Sequence, residues 1–244
     1  MQIKIPTPDA PPELANVTLL LIDGVGNSLD GAKALLHCHS LMKFGETKYI
    51  GVNDLLKEIK EESHHIDYTF QQVDKMTWGD YGEFAIRELH KFIDTEFVLT
   101  INDDGFILNP FLWDEEYLQY DFIGAPWRKD YHFSSKPLGV SEEGFKVARN
   151  RNLVGNGGFS LRSKKFLEVS ARCPAKFDKD ITPEDVYVCL NNYHYFIESG
   201  IKYAPLELAN KFSDNWQVQS AKQFGFHGNR NMIKIIEPHI QGLK

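Results

Sequence analysis

The chain has 244 residues, 42% hydrophobic and 25% charged, which suits one large globular domain or two small ones and excludes a largely disordered chain. A net charge of −7 argues against a general nucleic-acid-binding surface. Three scattered cysteines, Cys38, Cys173 and Cys189, exclude a disulfide framework and a cysteine-rich zinc site. The longest apolar run, residues 17–22, is far short of the roughly 20 residues of a membrane helix. No apolar signal-peptide core follows a basic start, so a cytoplasmic protein without a membrane span is expected.

Residues 1–16 carry Pro6, Pro8, Pro11 and Pro12 and read as an extended arm. Residues 17–23 (VTLLLID) form a continuous apolar run closed by Asp-Gly, the pattern of a fully buried, parallel strand. Ser28 or Asp30 caps a predicted helix to about Phe44, and residues 47–52 and 66–71 read as the second and third strands. Residues 80–93 have the stripe of an amphipathic helix, and residues 97–101 (FVLTI) form another buried strand. This alternation predicts an α/β fold with a mostly parallel sheet flanked by helices, its ligand beyond the carboxyl ends of the strands.

The second half is less regular. Residues 111–117 read as a short helix and 121–125 as a short strand, while residues 126–153 show no period. Residues 155–162 (GNGGFSLR) read as a glycine-rich turn into a strand, and residues 163–171 and 183–198 as helices. With no repeat and no linker, one domain is expected over residues 1–244.

Four short motifs carry candidate chemistry. Asn102-Asp103-Asp104-Gly105 follows a buried strand; two adjacent carboxylates repel, and a divalent cation relieves that repulsion, although the same residues also make a good turn. Gly155-Asn156-Gly157-Gly158 lets backbone approach a ligand, or simply turns the chain. Glu184 and Asp185 follow Pro183 at a helix start, where acids suit the helix dipole and where a general base is equally at home. His227 stands in Phe226-His227-Gly228, accessible to a metal or a phosphate. Asp23-Gly24, at the first strand's end, is also compatible with a phosphohydrolase, but the Asp/His clusters such an enzyme needs downstream are missing from the sequence.

Taken in order, DTEFVL (94–99), DDGFILNP (103–110), YDFIGAPW (120–127), VGNGGFSLR (154–162), PEDV (183–186) and FHG (226–228) resemble a family of GT-A-like glycosyltransferases long catalogued as a domain of unknown function, DUF5672. The sugar-transferring domains of large algal viruses are similar. The resemblance spans about residues 17–228. It implies a GT-A-like fold with a nucleotide-sugar-binding half (17–110), an acceptor-binding and catalytic half (111–228) and a C-terminal tail (229–244).

It also implies a nucleoside-diphosphate sugar donor (UDP-linked in the first instance), a glycan or glycoconjugate acceptor, Mn²⁺ or Mg²⁺, and an inverting transfer. On this likeness Asp104, His227 and Asn102 fall at the metal site, with Asn102 standing where the family pattern has an acid. Asp23, Gly24 and Asp103 fall at the nucleotide; the basic stretch of Lys146, Arg149 and Arg151 either closes over the diphosphate as a lid or is a solvated surface loop. Asn156, Gly157 and Gly158 line the donor sugar and acceptor, and Asp185 or Glu184 is the base; Trp127, after Ala-Pro in a loop, is either a stacking face for the sugar or a core residue. A non-catalytic carbohydrate- or nucleotide-binding module on the same scaffold is the alternative, favoured by Asn102.

Overall fold

The computed structural model of the chain describes residues 12–26, 28–59, 66–127, 139–150, 154–215 and 222–235. Six strands form one sheet: β1 (Glu13–Asp23), β2 (Lys43–Gly51), β3 (Thr69–Gln72), β4 (Phe97–Ile101), β5 (Phe122–Pro126) and β6 (Val154–Ser163). Their order is β3-β2-β1-β4-β6-β5. The first four are mutually parallel, and β6 runs antiparallel to both β4 and β5. The expected α/β architecture with a mostly parallel central sheet is borne out.

The continuous apolar run of β1 is explained by burial on both faces. Leu19 and Leu21 enter one core cluster, while Leu20 and Ile22 enter the other. Two-residue alternation sends successive side chains to opposite faces, so both must be apolar. The first cluster packs α1 (Leu29–Leu41) and α8 (Leu206–Phe212) on the sheet; the second packs α3 (Trp78–Arg87) and α5 (Lys164–Arg172). Between them in sequence lie α2 (Leu56–Ile59), α4 (Glu142–Asn150), α6 (Glu184–Val186) and α7 (Tyr193–Glu198).

The ends of several elements differ from the sequence reading. β1 begins at Glu13, inside the expected arm, because Glu13 and Leu14 pair with Lys43 and Phe44 of β2 before a bulge. The same pairing takes Lys43 and Phe44 away from α1, which stops at Leu41. Ser28 is its cap, with its Oγ accepting from the Gly31 N–H at 3.1 Å. α3 starts at Trp78, since Thr77 and Asp80 form a reciprocal capping box. The helix expected over 183–198 is broken into α6, a wide π turn over Tyr187–Asn191 and α7. The expected short helix over 111–117 is two 3₁₀ turns, Pro110–Leu112 and Glu115–Gln119. Within the aperiodic 126–153 stretch, α4 is helical and capped by Ser141, whose Oγ accepts from the Gly144 N–H at 2.9 Å. A small parallel pair, β7 (Ser213–Asn215) and β8 (Gly225–His227), had no clear sequence signal.

Candidate active site

The carboxyl ends of β1 and β4 lie at one edge of the sheet. β6 runs the other way, so its first residues return to that edge. Pairing of Thr100 with Ser160 continues toward Asn102 beside Gly158. A Cβ on Gly158 would lie 3.0 Å from Asn102 Nδ2 and would overlap His227 Nε2. Strand direction therefore gathers residues about 50 positions apart.

Asn102 and Gly105 exchange backbone hydrogen bonds of 2.9 and 3.2 Å, so the tetrapeptide is a tight turn. That turn aims its two acids apart. Asp104 Oδ1 lies 3.7 Å from His227 Nε2, while Asp103 Oδ2 lies 3.3 Å from Arg230 Nε. Burial first, then the neighbouring Asp104, raises the Asp103 carboxyl above its ordinary value. His227 is brought in by β8, and the Gly228 N–H donates to the Asp104 carbonyl at 2.8 Å. Burial lowers the His227 imidazole below its ordinary pKa against the opposing pull of Asp104 and Glu184, which favours the neutral ring that ligates metals. The expected ligand set can be tested against this geometry. Among the described residues no group of three or more His, Cys, Asp or Glu side chains is arranged to hold an ion by itself. Mg²⁺-type sites commonly use one or two protein carboxylates plus substrate phosphates; Asp104 supplies the carboxylate of that pattern, and His227 Nε2, 3.7 Å away, a nitrogen donor beside it.

On the far side of Gly157 stands the carboxylate pair. A Cβ there would overlap Glu184 Oε1 and lie 3.3 Å from Asp185 Cβ. Glu184 is anchored by Arg162, whose Nη2 lies 3.4 Å away. Arg162 is only 3% exposed and also donates to Ser160 Oγ and the Gly157 carbonyl. Asp185 accepts from the Gly157 N–H (3.2 Å) and the Val186 N–H (2.7 Å). Burial, reinforced by the adjacent Glu184, still pushes its carboxyl up to about 7.

A cavity of about 570 Å³ opens beside the Asn102-Asp103 turn. Asp23, Gly24, Asn102, Asp103, Tyr81 and Arg230 line it, together with Val25, Leu29 and Trp78, three exposed apolar side chains. Trp78 is 56% exposed. Met76 closes the loop against β1, its N–H donating to the Gly24 carbonyl at 2.8 Å.

Several expected site residues are placed elsewhere or used otherwise. Asp23 lines the cavity, but its carboxylate already accepts from Gly26 N–H (2.8 Å), Ser28 N–H (3.0 Å) and Tyr49 OH (3.4 Å), so it shapes its own turn. Trp127 is 8% exposed and packs in the second core cluster with its ring against Gly155, not as an open stacking face. Arg149 lies on α4 over the Phe145 ring, away from the cavity lining, and Lys146 pairs with Glu143. Arg151 lies outside the described residues. Asn156 is buried where β6 bulges against Ala125. Arg162, Tyr81, Trp78 and Arg230 were missed by sequence reasoning. The one available signal was the Thr77-x-x-Asp80 capping box, which puts Trp78 and Tyr81 on one face of the first turns of α3.

A family model described as "Protein of unknown function (DUF5672)" matches residues 80–227, more than half of the chain. The chain belongs to that family. The DUF5672 match takes in the Asn102-to-Gly105 turn, the glycines of β6, Glu184-Asp185 and His227. No curated protein matches the chain in sequence. Among solved structures, the chain is similar to the inositol-1-phosphate CTP transferase from T. maritima: 10% identity, 94% of this chain and 98% of that one covered, TM-score 0.49. It is also similar to a CMP:2-keto-3-deoxy-manno-octonic acid synthetase complexed with CTP: 9% identity, coverage of 78% and 88%, TM-score 0.45.

Proposed function

We propose that this DUF5672 protein is a glycosyltransferase that moves a sugar from a nucleoside diphosphate, UDP in the first instance, to a hydroxyl of a glycan or glycoconjugate with inversion. What carries the reading is one juxtaposition. The bare backbone of Gly157 and Gly158 adjoins both a carboxylate pair and the Asp104–His227 pair, beside a cavity with an apolar, aromatic rim.

Each part has a job in such a transfer. Trp78, Val25 and Leu29 offer a planar base an apolar surface, and Asp103 with Arg230 forms the polar wall. Asp104 and His227 would hold Mn²⁺ or Mg²⁺, an ion that offsets charge on a leaving diphosphate. Asp185, raised to about 7, is poised to take the acceptor hydroxyl's proton near neutral pH. Arg162 holds Glu184 beside it and limits the carboxylates' mutual repulsion. The glycines let the Glu184 carboxylate and the His227 ring lie directly against the β6 backbone, where any side chain would collide.

Transfer measured with Mn²⁺ across nucleotide sugars and oligosaccharide acceptors tests the reading. Asp104→Ala is expected to lose metal-assisted donor binding, whereas Asp185→Asn keeps donor binding within about threefold and loses transfer by about 10²-fold or more. Donor binding without turnover against any acceptor, in the wild type, would instead support a binding module. Equal loss of binding in both variants would overturn the division of roles.

A further inference from the structure

Tyr81 lines the cavity beside Asn102 and Asp103. It sits on α3 immediately before Gly82, where an added Cβ would meet Phe177 and, at 3.7 Å, the Glu184 Cβ. α3 therefore carries a cavity-lining residue and, next to it, a residue packed against Glu184. Its phenol is close enough to Glu184, Arg162, Asp185 and Asp104 to feel all four charges. Burial, then the carboxylates, push its pKa well up, so at neutral pH the hydroxyl keeps its proton and remains a donor. Its ring packs against the second core cluster, yet its hydroxyl has no hydrogen-bond partner among the described residues, unlike Tyr49, Tyr68, Tyr117, Tyr187 and Tyr203. The residue is only partly buried, so its hydroxyl is open to a molecule in the cavity.

We propose that the Tyr81 hydroxyl donates its hydrogen bond to the transferred sugar of the donor, making Tyr81 a sugar-selecting residue between the nucleotide cavity and the Glu184-Asp185 pair. This rests on the glycosyltransferase reading above. In an inverting transfer the base and the leaving diphosphate stand on opposite sides of the anomeric carbon, so the sugar occupies the space between the Asp185 and Asp104 groups. Tyr81 faces both. The bare nucleoside diphosphate lacks the atoms this hydroxyl would bind.

The test uses the full chain with Mn²⁺ and compares UDP with UDP-glucose and UDP-galactose, and GDP with GDP-mannose and GDP-fucose, by calorimetric titration. Tyr81→Phe is expected to leave Kd for the bare diphosphate unchanged within twofold. It is expected to weaken the best-bound sugar conjugate about tenfold, or about 1.4 kcal/mol. Because the hydroxyl has no partner among the described residues, the variant's unfolding temperature should be unchanged or higher. Equal affinity of both proteins for the conjugate, or equal weakening of diphosphate and conjugate, would overturn the proposal. A fall in unfolding temperature would also do so, since it would reveal a structural hydrogen bond. Failure of the wild type to bind any of these nucleotides would instead overturn the glycosyltransferase reading itself.

Discussion

Burial, reinforced by the adjacent Glu184, raises the Asp185 carboxyl to about 7, and two backbone donors only partly compensate. A carboxyl whose folded pKa is raised favours folding below its unfolded pKa. That contribution is lost as pH rises from about 4 through about 7. Asp185→Asn removes the ionisation. Its unfolding temperature should match the wild type near pH 4 and exceed it at pH 8, as followed by circular dichroism melts. Wild-type transfer should rise with pH through about 7, the limb on which the base loses its proton. A second residue-scale outcome concerns Gly158. Alanine there must displace His227 Nε2, so Gly158→Ala should weaken Mn²⁺-dependent nucleotide binding by tenfold or more, read by the same titration. Asp104, His227, Asp185 and Gly157 could be picked out in the sequence because acids, a glycine-flanked histidine and paired glycines stand out locally. Arg162 could not: an arginine two residues after Ser160 in a strand reads as a surface residue until the fold buries it against Glu184. Trp127 misled for the opposite reason, since a tryptophan after Ala-Pro looks exposed and is in the core.

At the scale of elements, the parallel half was readable because apolar runs and helical stripes are local signals. β4 was expected over the very residues it occupies. The antiparallel return of β6 was not readable, and it is what carries the glycines back to the ligand edge. The early start of β1 was hidden too, because it depends on partners in β2 some 30 residues away. α3 ties fold to site most directly. Its capping box fixes the turn that presents Trp78 to the cavity. Thr77→Ala should cost about 1 kcal/mol of stability in chemical denaturation. Trp78→Ala should leave stability within about 0.5 kcal/mol, since its ring is largely exposed, and weaken nucleotide binding about tenfold.

At the scale of the molecule, a net charge of −7 belongs to a protein proposed to bind an anionic donor. Part of that charge sits at this edge of the sheet in Asp103, Asp104, Glu184 and Asp185, against which, among the described residues, Arg162 and Arg230 are the cations in direct contact. Arg162 is already engaged with Glu184, and Arg230 with Asp103. A diphosphate arriving here meets more negative than positive charge unless a divalent ion joins Asp104 and His227. No helix among the described residues is long and apolar enough to cross a membrane. The most direct measurement is calorimetric titration of the wild type and Asp104→Ala with UDP- and GDP-sugars, with Mn²⁺ and with chelator. Micromolar binding of at least one nucleotide sugar by the wild type, lost with chelator and lost in Asp104→Ala, is the predicted result. Absence of binding by any nucleotide sugar or nucleoside diphosphate in the presence of Mn²⁺ would contradict the account.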